Sequence, residues 1–208
     1  MKCSIRVAVF ALAALVPLAA QAPQGWKMRV DRSREASDPD AAGDIRFVTM
    51  GTGFHATNPQ AAVYWNPANK ATGTYTLKGT FTLMKPSGHV NYYGLVFGGS
   101  GLEGAAQKYL YFVVAQNGTW LIKSRDGEAT SNVAPKTPND VVKKPDESGK
   151  STNALEVRVG ADKVDFVVNG TVVHSEPKSG ALANTDGNWG IRINHLLEVH
   201  IDGLGVSK

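Results

Sequence analysis

Apolar and polar side chains alternate along residues 153–175, and turn residues separate the alternating runs. The apolar positions, which recur at every second residue with one break at residues 160–162, are Leu155, Val157, Val159, Val164, Phe166 and Val168. A period of two is typical of half-buried β-strands. Asn169-Gly170 then provides the two positive φ angles that a tight type I′ turn requires. This stretch predicts consecutive antiparallel strands, the last of which begins at Thr171.

The rest of the chain predicts further short strands separated by turns. They are expected at residues 27–31, 45–48, 51–59, 62–65, 73–85, 90–97, 109–115, 120–125, 189–194 and 196–206. Residues 90–97 and 109–115 are apolar at successive positions, as in central strands that are covered on both faces. Asn117-Gly118 predicts a hairpin that returns residues 120–125 beside residues 109–115. Because no helical period persists for three turns, we predict an all-β fold, a two-sheet antiparallel sandwich or jelly roll.

Four interruptions of the alternating pattern lead to further structural predictions. Asn66-Pro67 is expected to end the strand that starts at Ala62, because proline removes a backbone donor. Gly79 is expected to mark a bulge within residues 73–85. Residues 126–152 are rich in Pro, Lys, Asp and Ser, which predicts a long surface excursion, and residues 102–107 have room for one helical turn.

The N-terminal residues predict export from the cytoplasm. Lys2 and Arg6 precede the apolar run 7–16, and Ala20-Gln21-Ala22 has the small-x-small pattern of a signal-peptide cleavage site. We therefore expect a secretory signal peptide at residues 1–22, a single β-sandwich domain at residues 23–208, and a secreted or periplasmic product. The apolar run is too short to span a membrane, so no transmembrane segment is expected.

Cysteine content and charge exclude several classes of function. The only cysteine is Cys3, which would leave with the signal peptide, so disulfides and thiolate metal sites are not expected. Loss of Lys2 and Arg6 would reduce the 22 basic residues to 20 against 18 acidic ones. The densest lysines, at residues 143–150, are interspersed with acidic residues, which is typical of a solvated loop. A nucleic-acid partner is therefore not expected.

Five segments follow one another in an order found in a known family. They are residues 91–97, 109–114, 153–157, 168–170 and 189–192. In this order they resemble the concanavalin A-like, laminin G-type jelly roll, and are most similar to the secreted bacterial domains of the 3-keto-disaccharide hydrolase type. The resemblance covers residues 73–206, with Tyr92-Tyr93 where that family has a single serine. It implies a protein that binds or cleaves glycans or modified sugars, often on the concave sheet and sometimes with a metal, but it transfers no catalytic residue.

A row of polar residues on the last predicted strand is a candidate metal site. Glu198, His200 and Asp202 alternate with apolar residues, so their side chains project from one face in steps of about 7 Å. They would hold a divalent metal such as calcium or share proton-transfer work. Polar residues on the preceding strand and turn are Arg192, Asn194 and His195. The alternative is a solvated sheet face whose charges pair with Arg192 or Arg158.

Two further groups have the composition of a sugar site, in which hydroxyls need donors and acceptors and the C–H face packs on a ring. The first consists of His55, Thr57, Asn58 and Trp65. The second lies on the predicted central strands and consists of Asn91, Tyr93, Tyr109, Tyr111, Lys123 and Arg125. The alternatives are that Asn58 caps a loop before Pro59 and that the tyrosines belong to the core.

Catalysis is left open by the sequence. A glycosidase needs two carboxyl groups roughly 5–10 Å apart, and the central strands contain almost none. Phosphate-loop, zinc-protease and serine-elbow motifs are absent. The expected function is a secreted domain that binds a carbohydrate or sugar derivative on its concave face. The alternatives are a glycoside-processing enzyme of the 3-keto-disaccharide hydrolase type and a non-catalytic structural or protein-interaction module.

Overall fold

The computed structural model describes residues 23–33 and 37–208, so the predicted signal peptide lies outside the described residues. The described chain forms fourteen strands and one short 3-10 helix at Gly180–Leu182. The strands are β1 (Lys27–Val30), β2 (Arg46–Met50), β3 (Gly53–Asn58), β4 (Ala62–Ala71), β5 (Tyr75–Lys85), β6 (Tyr92–Ser100), β7 (Lys108–Ala115), β8 (Thr119–Asp126), β9 (Ala129–Pro138), β10 (Ser151–Val159), β11 (Lys163–Val168), β12 (Thr171–Pro177), β13 (Gly187–Ile193) and β14 (Leu197–Ser207).

The strands form two antiparallel sheets of seven strands each. The front sheet has the order β1-β4-β13-β6-β7-β8-β9, and the back sheet has the order β12-β11-β10-β5-β14-β3-β2. Neighbours in a sheet are often distant in sequence, as in β4 and β13, which is typical of jelly-roll connections. The predicted all-β, two-sheet antiparallel sandwich is confirmed. Within the described residues, no helix has both the length and the apolar character needed to cross a membrane.

The two sheets pack against each other through their alternate residues. On β7, Leu110, Phe112 and Val114 point between the sheets and join one cluster with β10 residues of the back sheet, such as Leu155 and Val157. Phe112, Leu155 and Val157 are fully buried. Burial of such side chains contributes roughly 1.5–3 kcal/mol each. The period-two pattern in the sequence therefore encodes the inner faces of the sandwich.

The outer face of the front sheet carries a second apolar cluster, which we call the outer-face cluster. Its members, all from the front sheet or the loop after β6, are Val63, Trp65, Val96, Leu102, Tyr109, Tyr111, Val113 and Leu121. These residues are also buried. The central strands β6 and β7 are therefore covered on both faces, as predicted from their continuous apolar runs.

Both Asn-Gly hairpins form, but with different turns. Asn169 and Gly170 have φ angles of 50° and 83°, as a type I′ turn requires, and the hairpin joins β11 to β12. At the second hairpin only Gly118 has a positive φ, 82°. The amide of Gly118 donates to the carbonyl of Ala115, which indicates a three-residue loop. The predicted pairing of β7 with β8 is confirmed, since Val114 lies opposite Trp120.

We expect Asn169→Ala to lower the free energy of unfolding by about 2 kcal/mol. The Asn169 side chain donates to the carbonyl of Val141 and to Asn153 Oδ1, and accepts from the amide of Ala154. Alanine also tolerates a positive φ less well than asparagine. The matched control is Asn117→Ala, which removes a single side-chain contact to Thr119 at a residue without a positive φ. Urea unfolding of both variants would test this, and equal losses would contradict it.

The prediction that Asn66-Pro67 ends a strand was wrong, because β4 continues to Ala71. Its partner β1 stops opposite Trp65, so beyond that point proline has no neighbour on one side. The pairing with β13 shifts register here, and the side-chain amide of Asn188 donates to the carbonyls of Asn66, Pro67 and Asn69. These contacts stabilise the bulged backbone that proline would otherwise interrupt.

The bulge expected at Gly79 is present in the pairing of β5 with β14, where Thr80 lies opposite Asp202 and Lys78 opposite Gly205, so the extra residue is on β14. The pairing of Gly79 with β10 is regular. Two other local predictions need correction. Residues 126–152 contain the strand β9, which the sequence pattern missed because this edge strand is mostly exposed and need not alternate. Residues 102–107 form turns rather than a helical turn.

Candidate functional site

A cavity of about 490 Å³ lies on the outer face of the front sheet. Its floor comes from the central strands, and its wall comes from the segment between β1 and β2 and from the turn between β13 and β14. The side chains on which its chemistry depends are Asp31, Asp38, Asp40, Asn91, Tyr92, Tyr111, Lys123, Arg125, Arg192, Asn194 and His195. Outward residues of several strands therefore converge with loop residues in one polar cavity.

One carboxylate organises the floor of this cavity. Asp31 Oδ2 accepts from Nη1 of Arg192 at 2.6 Å and from Nη1 of Arg125 at 3.1 Å. The three side chains are only 16%, 12% and 9% exposed, respectively. Charge-assisted hydrogen bonds in such a setting are stronger than neutral ones. Asp31 therefore fixes both guanidinium groups against the sheet.

Arg192 crosses the sheet to make its contacts. It projects from β13, and its neighbour on the adjacent strand β6 is Gly94, which has no side chain to obstruct it. Its Nη1 also donates to the hydroxyl of Tyr109 at 3.1 Å, and its guanidinium carbon lies 5.3 Å from the ring centre of Tyr111, a cation–π contact. Among the described residues Arg192 makes its hydrogen bonds through Nη1 alone, and its side chain lines the cavity.

The pKa shifts of Asp31 and Arg192 favour the ionised form of both side chains. Burial alone would raise the pKa of Asp31, but the positive charges of Arg192 and Arg125 more than offset it and lower that pKa. Burial alone would lower the pKa of Arg192, but Tyr109 and Asp31 more than offset it and raise that pKa. Both side chains therefore stay charged at neutral pH.

The cavity is polar but close to neutral. Four carboxylates line it, from Asp31, Asp38, Asp40 and Glu128, and four basic side chains line it, from Arg32, Lys123, Arg125 and Arg192. The lining therefore offers both hydrogen-bond donors and acceptors around a space that carries little net charge. A ligand with many hydroxyl groups, each able to donate and accept, fits such a lining.

Two histidines and two aspartates meet at the rim of the cavity. Nε2 of His89 lies 3.1 Å from Nε2 of His195, and Asp38 Oδ1 lies 2.6 Å and 3.0 Å from these two nitrogens. Nδ1 of His195 lies 2.9 Å from Asp40 Oδ1. Asp38, His89 and His195 form the one group of metal-ligating side chains found in the described residues whose ligand atoms lie within 4.8 Å of one another.

The structure brings four of the sequence-predicted sugar ligands together in the cavity, namely Asn91, Tyr111, Lys123 and Arg125. Tyr109 lies beneath it and contacts Arg192. Trp65 belongs to the outer-face cluster and is 3% exposed, so it supports the floor without lining the cavity. The central-strand group is therefore the part of the prediction that assembles into one site.

The other predicted ligands lie elsewhere. Tyr93 is fully buried between the sheets. Asn58 is also buried, and its side-chain amide donates to the carbonyl of Gln60 at 2.9 Å while its Oδ1 accepts from the hydroxyl of Tyr64 at 2.7 Å. These are the core and capping roles that the sequence left as alternatives. His55 and Thr57 alternate with the buried Ala56 and Asn58 on β3, so they face outward from the back sheet, on the opposite side of the molecule.

The predicted metal row also lies on the outer face of the back sheet. Glu198 Oε1 lies 3.1 Å from Nε2 of His55, and Nε2 of His200 lies 3.2 Å from Asp202 Oδ2. Glu198 and Asp202 thus contact different histidines. Pairing of this row with Arg192, one of the two partners in the alternative interpretation, was wrong, because β13 belongs to the front sheet and β14 to the back sheet. Calcium at this row stays a prediction.

Four residues of the site were not predicted from the sequence, namely Asp31, Asp38, Asp40 and His89. The aspartates lie in a weakly patterned segment, and His89 lies in a loop. No local spacing connects these residues to Arg192 or His195, which are more than 100 residues away in the chain. The sequence does indicate that Arg192, Tyr109 and Tyr111 lie on outward-facing positions of their strands. That these residues are neighbours follows only once the order of the strands is known.

Comparison with known proteins identifies the fold. No protein-family model matches the sequence, and no curated protein matches it. Among solved structures, the carbohydrate binding module CBM66 from Bacillus subtilis is 13% identical with a TM-score of 0.61, covering 88% of this chain and 96% of that chain. A Bacteroides ovatus GH16 protein in complex with a mixed-linkage glucan product is 9% identical with a TM-score of 0.59, covering 91% and 96%.

A third similar structure is a family 7 alginate lyase, A1-II′, in complex with a product. It is 14% identical with a TM-score of 0.53, covering 88% of this chain and 94% of that chain. At these identities the similarity concerns the fold. It confirms the concanavalin A-like sandwich that the sequence resemblance implied. It does not single out the 3-keto-disaccharide hydrolase type.

Proposed function

We propose that this protein binds a neutral carbohydrate in the cavity on the outer face of the front sheet. The observation that carries the proposal is the pair of guanidinium groups that Asp31 holds in place at the lining of the cavity. Donors that are fixed before binding lose little entropy when a ligand arrives. Tyr92 and Tyr111 line the same cavity and add apolar surface for the C–H groups of a sugar ring.

The balance of charge favours a neutral sugar over an acidic one. The four carboxylates around the cavity offset its four basic side chains, and the guanidiniums of Arg125 and Arg192 are already paired with Asp31, so a polyuronate would gain no net attraction there. The three structural neighbours include proteins with neutral and acidic polysaccharides in their names, so the fold alone does not choose between these ligands. The choice therefore rests on the residues of this cavity.

Retention in affinity gels would test the proposal. We expect migration of the protein to be slowed by a neutral polysaccharide such as mixed-linkage glucan and not by alginate, and to change little with salt because the cavity is nearly neutral. Lys123→Ala, which removes a half-buried cavity donor, should weaken retention severalfold. Lys78→Ala, on the back sheet, is the matched control. Absence of retention by a full array of neutral glycans would overturn the proposal.

Export forms part of the proposal. The charged start, apolar run and small-x-small pattern of residues 1–22 support delivery outside the cytoplasm, where polysaccharides are available. Detection of the processed chain in the periplasm or culture medium, with an N-terminus near Pro23, would test it. Retention of an unprocessed chain in the cytoplasm would contradict it.

A glycoside-processing enzyme is the second candidate, and one observation favours it. Carboxyl groups were scarce on the central strands, yet loops supply Asp38 and Asp40 to the cavity beside His195. Carboxyl and imidazole groups together provide general acid–base catalysis. Incubation with oxidised disaccharides would separate the candidates. Turnover that Asp40→Asn abolishes would favour the enzyme, and binding without turnover would favour the carbohydrate-binding domain.

A further inference from the structure

Three separate segments bring two imidazoles and a carboxylate to one point at the rim of the cavity. His89 precedes β6, His195 lies in the turn between β13 and β14, and Asp38 lies between β1 and β2. The separations among their nearest atoms are 2.6, 3.0 and 3.1 Å. His195 is 4% exposed, whereas the side chains of His89 and Asp38 are 42% and 44% exposed. The group is therefore anchored at His195 and open to solvent on one side.

Hydrogen bonds around the group indicate which ring nitrogens carry a lone pair. Asp40 Oδ1 lies 2.9 Å from Nδ1 of His195, which places the proton of a neutral imidazole on Nδ1 and leaves Nε2 as an acceptor. The side-chain nitrogen of Asn91 lies 2.9 Å from Nε2 of His89, so that ring nitrogen accepts a hydrogen bond, and a bound metal ion would take its lone pair in place of the amide. Two such nitrogens and a carboxylate oxygen at these distances repel one another unless a proton or a metal cation lies among them.

We propose that Asp38, His89 and His195 bind one divalent transition metal ion, with zinc as the best fit, and that Asp40 positions His195 for it. Zinc takes imidazole nitrogen and carboxylate oxygen at about 2.0–2.2 Å, so its ligand atoms lie roughly 3.3 Å apart in a tetrahedron. Two of the observed separations, 3.0 and 3.1 Å, are close to that value, and the third, 2.6 Å between Asp38 and His89, would widen on binding. Calcium prefers six to eight oxygen ligands, which this group does not provide. An aspartate on the outer nitrogen of a metal-binding histidine is a common supporting contact.

The backbone holds the ligands in position without help from an ion. The side-chain amide of Gln116 donates to the carbonyls of Ser87 and His89, which fixes the loop before β6. The amide of Asn194 donates to the carbonyl of Tyr92 at 2.9 Å, which joins the two histidine segments. Leu196, next to His195, has a φ of 59°, a strained conformation for a non-glycine residue that is common at functional sites.

Three protein ligands leave at least one coordination position of a zinc ion free, on the solvent-exposed side of the group. The three ligands differ from the predicted row of Glu198, His200 and Asp202, which lies on the opposite sheet. The proposal goes beyond carbohydrate binding and does not depend on it, because the metal alone is the ligand in its test.

Calorimetric titration of zinc chloride into the full chain, without a histidine tag and after treatment with a chelator, tests the proposal. We expect one zinc ion per chain and no measurable binding of calcium chloride at the same concentrations. His89→Ala should weaken zinc binding at least 100-fold, and Asp40→Asn about 10-fold to 100-fold. His55→Ala is the matched control, because it removes a histidine that also contacts a carboxylate, but on the back sheet.

Thermal unfolding and cobalt spectra distinguish loss of the site from loss of the fold. Zinc should raise the unfolding temperature of the wild type and of His55→Ala but not of His89→Ala. Cobalt should give visible absorption bands in the wild type that His89→Ala lacks. If zinc fails to bind at neutral pH, or binds His89→Ala as tightly as the wild type, the group is held by protons rather than a metal and the proposal is overturned.

Discussion

Asp31→Asn should lower the free energy of unfolding by roughly 3 kcal/mol, because it leaves two largely buried guanidinium groups without their shared anion. Asp31 is the carboxylate within reach of both Arg125 and Arg192. Asparagine keeps the shape of the side chain, so the loss reports charge rather than packing. Urea unfolding at pH 7 would measure it. The exposed pair of Lys108 and Asp126 provides the control, and Asp126→Asn should cost less than about 1 kcal/mol.

The effect of Asp31→Asn on the free energy of unfolding should also depend on pH. Burial opposes the ionised form of Asp31, but the neighbouring arginines lower its pKa below the usual value. A group whose pKa is lower in the folded state stabilises the fold above its unfolded pKa of about 3.9 and loses that contribution as the pH falls through its folded pKa. The stabilities of the wild type and Asp31→Asn should therefore converge below about pH 4. A constant difference down to pH 2 would contradict this account.

Much of the fold could be predicted because its determinants are local. The alternation of Leu155, Val157 and Val159 sets the inner face of β10, and Asn169-Gly170 sets the turn after β11. Where prediction failed, a distant residue decided the outcome. Proline at position 67 is tolerated because the amide of Asn188 contacts the carbonyls around it, and nothing in residues 62–71 indicates this.

The site was harder to predict than the fold because strand order determines it. Tyr111, Lys123 and Arg125 lie on adjacent strands of one hairpin, so their spacing in sequence already places them together. Arg192 reaches them only because β13 lies beside β6 in the front sheet. Asp31 reaches them only because β1 ends near Ala61, where the backbone amide of Asp31 donates to the carbonyl of Ala61. Glu198 is six residues from Arg192 yet lies in the other sheet.

Burial of charge is the feature that separates this cavity from the rest of the surface. The back sheet also carries histidines, carboxylates and arginines on its outer face, and several form ion pairs there. Arg158, for example, contacts Glu156 but is 44% exposed, so water competes for each of its hydrogen bonds. Arg192 is 12% exposed and is held by Asp31, Tyr109 and Tyr111. A ligand that reaches Arg192 meets donors that do not have to be reorganised.

Arg192→Lys should therefore weaken binding of the glycan retained in the affinity gels at least tenfold, which corresponds to about 1.4 kcal/mol. Lysine keeps the positive charge beside Asp31 but lacks the planar fork of donors that an arginine offers to a sugar hydroxyl pair. Calorimetric titration with a short oligosaccharide of that glycan would measure the change. Because the charge is retained, the loss of stability should be smaller than that of Asp31→Asn.

Arg158→Lys is the control for this substitution, since it makes the same chemical change on the outer face of the back sheet. It should bind the oligosaccharide as the wild type does. Equal affinities for Arg192→Lys and the wild type would mean that the guanidinium fixes the floor of the cavity without contacting the sugar. Lys123 or Asn194 would then be the residue that contacts it. Equal losses in both arginine variants would mean that the glycan binds through general charge, which the nearly neutral cavity argues against.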